Sequence, residues 1–125
     1  MTDLHGNLEA FEACIADAAR QDVGRRALLG DLVGYGADPV AVTERALSWL
    51  GPQGIAVRGN HDAAAAGDDT VLEGMSVDAA AAIRWTRGVI DAATRAALAE
   101  LPLTVRDHGA LFVHAGARRP AAWDY

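Results

Sequence analysis

Apolar residues fall at positions 8, 11, 14–15 and 18–19, the spacing of an amphipathic helix from Asn7 to about Gln21. Two short apolar runs, Arg26-Ala27-Leu28-Leu29 and Gly54-Ile55-Ala56-Val57, read as strands that end at Gly30-Asp31 and Gly59-Asn60. Between them Asp38-Pro39 opens a second helix, with Asp38 as N-cap and Pro39 at the first helical position, running to about Leu50 before Gly51-Pro52. Residues 63–75 begin with four alanines and continue into Gly67-Asp68-Asp69, which predicts a short turn and a mobile loop. Ser76 is placed to cap a helix over about 77–88, and Asp91 another over about 92–100, closed by Pro102. Leu103-Thr104-Val105-Arg106 and Ala110-Leu111-Phe112-Val113 flank Asp107-His108-Gly109, a hairpin signal with glycine in the turn. Strand–helix–strand alternation followed by a hairpin predicts an α/β fold with a mixed sheet, and no repeat or linker divides residues 1–125 into more than one domain.

Composition narrows the chemistry. The net charge of −6 argues against a nucleic-acid partner, since such proteins need clustered cations to displace counterions from phosphates. Lysine is absent, and the 11 basic residues are all arginine, scattered apart from Arg25-Arg26 and Arg118-Arg119, which read as solvated surface. The single cysteine, Cys14, fits a reducing compartment and, among Leu8, Phe11, Ile15 and Ala18, reads as a packed thiol. No apolar run approaches the length of a membrane span and no signal-like segment opens the chain, so the expectation is a cytoplasmic protein away from membranes.

Hard oxygen and imidazole donors recur beside glycine just past the predicted strands. They are Asp3-Leu4-His5-Gly6-Asn7, Gly30-Asp31-Leu32-Val33-Gly34-Tyr35-Gly36, Gly59-Asn60-His61-Asp62 and Val113-His114-Ala115-Gly116. A strand fixes the backbone, and glycine lets the following loop turn sharply enough to aim a ligand. Intervals of 28 residues (3 to 31) and 29 residues (31 to 60) each hold one helix, as a crossover between parallel strands requires. Such a donor set suits two divalent cations roughly 3.5–4 Å apart, which grip the oxygens of an in-line phosphoryl displacement. Cations that close need a carboxylate between them, and Asp31 is the candidate bridge. Asp3 and His5 can face one metal, and Asn60 and His114 the other. His61, pointing elsewhere, suits a general acid with a pKa near working pH, oriented by Asp62. His108, in the hairpin turn, reads as a solvent-exposed residue.

Taken together these motifs resemble the calcineurin-like metallophosphoesterase superfamily, whose signature runs D-x-H, G-D, G-N-H-[DE], a histidine after a strand, and a final G-H-x-H. The style of Gly30–Gly36 and of Trp123-Asp124-Tyr125 is similar to its small bacterial branch. The resemblance implies a partial αββα sandwich with mixed sheets. It implies Asp3 and His5 on one metal, Asn60 and His114 on the other, Asp31 bridging, and His61 near the scissile phosphate. The cofactors would be two divalent ions, Mn²⁺ first, with Fe²⁺, Zn²⁺ or Ni²⁺ also suited. The reaction would be hydrolysis of a small phosphate ester, mono- or diester, by a metal-bridging hydroxide.

Three departures stand out. Only Met1 and Thr2 precede the D-x-H, where the family has a strand, and no G-H-x-H follows His114. Gly34 stands where serine/threonine protein phosphatases carry a second Asp. The expectation is an incomplete domain, its first strand and C-terminal part missing, and inactive or poorly active by itself. Two other readings stay open: a metal- or nucleotide-binding module without catalysis, and a fragment completed by a partner chain. The lack of G-x-x-x-x-G-K-[ST] and of lysine excludes a P-loop.

Overall fold

The computed structural model of the chain describes residues 1–124, so that Tyr125 of the Trp123-Asp124-Tyr125 motif lies outside the described residues. Helix α1 (Leu8–Arg20) begins where Asn7 Oδ1 accepts the Ala10 N–H at 3.0 Å. Strand β1 (Ala27–Leu28) leads into α2 (Pro39–Leu50), and β2 (Ile55–Ala56) follows. Asp38 occupies the N-cap of α2, but its carboxylate makes no capping bond; proline at the first position already removes one donor that would need it.

The stretch 63–75 is not the expected turn and mobile loop. It forms α3 (Asn60–Ala66) and α4 (Asp69–Glu73). Alanine has the highest helix propensity, and Ala63, Ala64 and Ala65 are buried where α3 packs on α5 and α6. Asp68 then restarts the chain as a helix by accepting the Val71 N–H at 3.1 Å. Helices α5 (Val77–Val89) and α6 (Ala92–Glu100) carry the expected caps, Ser76 on Ala79 and Asp91 on Thr94.

Strands β3 (Thr104–Asp107) and β4 (Ala110–Val113) pair antiparallel through His108-Gly109, both at positive φ (46° and 78°), which suits the right-handed twist of a two-residue hairpin. The described strands make two pairs, parallel β1–β2 and antiparallel β3–β4, so both strand orientations expected of a mixed sheet occur. The edge of β1 opposite β2 is occupied as well. Met1 donates to Ala27 O and accepts from Leu29 N, then Asp3, His5 and Gly6 donate to Gly30, Asp31 and Leu32 carbonyls at 2.9–3.0 Å. That ladder stands in for the short first strand and satisfies backbone groups that would otherwise be left unpaired.

Phe11, Leu28, Leu32, Val33, Val42 and Ile83 are buried in one apolar core, with Phe11 edge-on to Trp49 at 6.0 Å. Phe11 is the one fully buried side chain of α1, so its buried stripe is narrow. Cys14, expected to be packed, lies off that stripe and is exposed. His108 is exposed as anticipated, its side chain 79% accessible. Among the described residues no helix is long and apolar enough to cross a membrane.

Candidate metal centre

All four motif loops converge beyond the C-terminal ends of β1 and β2. Glycine makes the approach possible. Gly30 has φ +91°, and a Cβ there would lie 2.7 Å from the Gly59 Cα and 2.8 Å from His114 Nδ1. A side chain on Gly59 would overlap the Asp31 carboxylate, and one on Gly34, at φ +93°, would overlap the His61 ring. At Gly34, the position where the protein phosphatases carry an Asp, the His61 ring occupies the space a side chain would need.

Asp31 is the centre of the arrangement. Its Oδ1 accepts the His61 N–H at 2.9 Å, while Oδ2 faces two imidazoles, 3.8 Å from His5 Nε2 and 3.5 Å from His114 Nε2. Asp3 Oδ1 is 3.7 Å from His5 Nε2. Donor atoms of His5, Asp31 and His61 lie within 4.8 Å of one another, and so do those of Asp3, Asp31 and His114. Asp31 belongs to both groups. The sequence reading paired Asp3 with His5; the compact groups instead set Asp3 with His114 and His5 with His61, although Asp3 and His5 remain neighbours. Asn60 is the first residue of α3, directly before His61 and part-buried.

Two imidazoles are held in one tautomer by backbone carbonyls. His5 Nδ1 meets Val33 O at 3.1 Å, and His114 Nδ1 meets Leu29 O at 2.6 Å. A carbonyl can only accept, so each Nδ1 carries the proton and each Nε2 presents its lone pair to Asp31. Orientation of a metal-binding histidine by a bond from its other nitrogen is the usual supporting arrangement. His61 Nδ1 is buried without a hydrogen-bond partner. A set of three imidazoles and two carboxylates, with lone pairs turned inward and one nitrogen unsatisfied, fits divalent cations that take mixed N/O ligands.

The electrostatics agree with that fit. Burial pushes the Asp31 pKa up to about 6, against the lowering influence of the neighbouring His114 ring and of two backbone N–H groups. Cations beside the carboxylate would reverse this, favouring the ionised form. Burial, and then the neighbouring His5, lower the His61 pKa to about 4. This differs from the near-neutral value expected of a general acid: without added negative charge, His61 is a neutral imidazole.

Asp62 departs from expectation too. Instead of orienting His61, its buried carboxylate accepts from the backbone N–H groups of Asp31 and Leu32 (both 2.8 Å), Gly59 (3.0 Å) and Val33 (3.3 Å). It fastens the loop after β1 to the loop after β2. Burial, reinforced by the Asp31 charge, raises its pKa to about 7 while these donors oppose the rise. The readable signal was its place three residues after Gly59, at the first turn of a helix, where a carboxylate reaches back to free N–H groups.

Sequence reasoning also passed over Tyr35 and Trp123 as site residues. The Tyr35 ring sits 4.8 Å from both His5 and His61, and the Trp123 ring 6.2 Å from His114. Asp3, His5, Asp31, Tyr35 and Trp123 all have φ between 47° and 62°, a left-handed conformation uncommon for such residues that tends to mark functional sites. Only the setting of Tyr35 between Gly34 and Gly36 hinted at this.

The profile of the family described as calcineurin-like phosphoesterase matches residues 1–124. The uncharacterized protein MJ0912 of Methanocaldococcus jannaschii is 34% identical over 131 residues, covering 100% of this chain and 51% of that protein. The crystal structure of a metallophosphoesterase from Sphaerobacter thermophilus superposes with a TM-score of 0.80 at 35% identity, over 100% of this chain and 48% of its own. A structure described as a candidate diadenosine tetraphosphatase gives a TM-score of 0.65 at 27% identity, over 92% of this chain and 48% of its own. The chain thus spans about half the length of these relatives. With its residues matched from end to end of the described chain and its fold shared with a metallophosphoesterase, the protein belongs to the calcineurin-like phosphoesterase family.

Proposed function

We propose that the chain forms the metal-binding part of a dinuclear phosphoric ester hydrolase, a phosphodiesterase or phosphatase acting on small phosphate esters. One observation carries this reading: Asp31 is common to two compact donor groups, so a single carboxylate can serve two cations. Asp3, His5, Asp31, Asn60 and His114 are the proposed metal ligands, with His61 facing both the metals and the ester. Bound there, two divalent cations would supply Lewis-acid activation of water and neutralise charge on the phosphate.

The chain's own residues do the rest. Asp31 would be shared by the two cations and its charge would offset their repulsion. Leu29 and Val33 carbonyls keep His114 and His5 aimed. His61 is neutral until an anionic phosphate beside it raises its pKa; it would then take up a proton from solvent and pass that proton to the leaving oxygen. Asp62 holds the two loops that carry Asp31 and His61 in register. Mn²⁺ is the proposed metal, as mixed N/O donors without thiolate suit it, with Fe²⁺, Zn²⁺ and Ni²⁺ as competitors. Residues 1–125 form one incomplete domain in this reading, and the lone exposed cysteine supports a cytoplasmic setting.

Calorimetric titration of Mn²⁺ into the purified chain tests the reading. Two equivalents bind to the wild type, and Asp31→Ala weakens both by about 100-fold or more, beyond the effect of removing a supporting group. Undiminished binding of both equivalents by Asp31→Ala would sink it.

A further inference from the structure

Next to Asn60 a cleft of about 500 Å³ opens between α4 and the chain's last turn. Thr70, Val71, Gly74 and Met75 form one wall, Ala121, Ala122 and Trp123 the other, and Asn60 closes the end. Among the described residues no charged side chain lines it. Its size lies within the range of small-molecule sites.

A phosphate ester has two parts with opposite needs. Its charged head needs cations and hydrogen-bond donors; the group esterified to it needs a surface of matching polarity. An uncharged cleft cannot hold the head, but two of its lining residues, Asn60 and Trp123, border the donor cluster. Asn60 directly precedes His61, and the Trp123 ring lies 6.2 Å from His114.

The wall is also held in place. Asp124 O accepts the Gly116 N–H at 2.7 Å, and the Arg119 guanidinium pairs with the Asp124 carboxylate at 2.6 Å. Trp123 itself sits at φ 55°, the left-handed turn after the short 3-10 segment Pro120–Ala122. A flat indole fixed opposite a methionine provides a stacking face and a polarizable lid, a pair suited to a planar ring.

Resting on the proposed hydrolase reading, we infer that this cleft is the subsite for the esterified group, that the group is planar and aromatic, and that Trp123 is its specificity-determining residue. Aryl and nucleoside esters share the chemistry that the cleft recognises. Aliphatic esters lack it.

The test compares phenyl phosphate, adenosine 5′-monophosphate and glycerol 3-phosphate by calorimetry on the Mn²⁺-loaded chain. The aromatic esters bind about tenfold tighter than the aliphatic one, the scale of a single ring–aromatic stack. Trp123→Ala removes that ratio, and Trp123→Phe, which keeps a ring, retains most of it. Tighter binding of phenyl phosphate than of the nucleotide assigns the cleft to aryl esters, and the reverse order to nucleosides. Equal affinity for all three, or a Trp123→Ala variant that weakens all three alike and so leaves the ratio intact, overturns the inference. A second readout separates it from the hydrolase reading. In metal-free protein, phenol or adenosine shifts the Trp123 indole N–H resonance; failure of both to do so rejects the subsite even where two Mn²⁺ bind, whereas loss of Mn²⁺ binding with the shift intact rejects only the dinuclear centre.

Discussion

The two loops that follow β1 and β2 differ sharply from the two segments that complete the site around them. In the inner pair, Asp31 and Asp62 are almost wholly buried, and backbone N–H groups hold both carboxylates. In the outer pair, Asp3 is half exposed, and its carboxylate accepts from the Thr2 hydroxyl and lies near His5, with no backbone N–H holding it among the described residues. The neighbouring His114 loop is closed by a partly exposed turn. Inner geometry is thus set by folding itself, since each buried donor needs its acceptor. Outer geometry is set by the Met1–Gly6 ladder and by carbonyl contacts to two imidazole rings. The lesson is that one family motif can be structural and its neighbour chemical, though both read as Asp or His beside Gly.

The largest effect belongs to the inner pair. Asp62→Ala leaves four buried N–H groups without their acceptor, and a loss of more than about 3 kcal/mol is expected. Asp3→Ala, at an exposed carboxylate, should change stability by less than about 0.5 kcal/mol while weakening Mn²⁺ binding. Urea denaturation of both metal-free variants decides it: equal losses would erase the contrast. A smaller effect sharpens it. Gly34→Ala places a methyl group into the His61 ring at a φ that penalises any Cβ, costing about 1–3 kcal/mol. It should also displace His61 enough to shift that ring's NMR signals. Unmoved signals would contradict the packing.

The smallest effect lies far from the site. The Arg25 guanidinium pairs with Asp107 and holds its carboxyl below the usual range. A lowered folded-state pKa gives stability that is complete above about pH 4 and fades as pH falls through the folded value. The difference in Tm between wild type and Arg25→Ala should therefore be present at pH 6 and shrink as pH falls below about 4. A difference that persists at low pH would mean that packing, not charge, accounts for it.

The sequence was most readable where one residue sets one local geometry. Ser76 and Asp91 start their helices as caps, His108-Gly109 turns its hairpin, and Gly30 and Gly59 mark where loops cross closely. The same rule located the residues that converge on Asp31. It was least readable where the answer depends on distant partners. Ala63–Ala66 is helical because α5 and α6 cover it, and neither neighbour can be seen in those four letters. Cys14 falls on a helical spacing that looks apolar, but of that stripe Phe11 alone is fully buried, Leu8, Ile15 and Ala18 pack partly on the core, and Cys14 is exposed. The place of Asp62 three residues after Gly59 signals the bond to the Gly59 N–H, but the local letters do not say that the same carboxylate also takes the backbone of residues 31–33.

The two oxygens of Asp31 have different occupations, one receiving the His61 amide and the other facing two imidazole lone pairs. An asparagine of the same shape could keep its oxygen on the His61 amide and turn its NH₂ toward the two imidazole lone pairs, so the metal-free fold has room for the exchange. What the amide would lose is the negative charge and the second acceptor that a cation beside His5 and His114 would need. Asp31→Asn therefore separates what folding asks of this position from what the proposed metal centre asks of it.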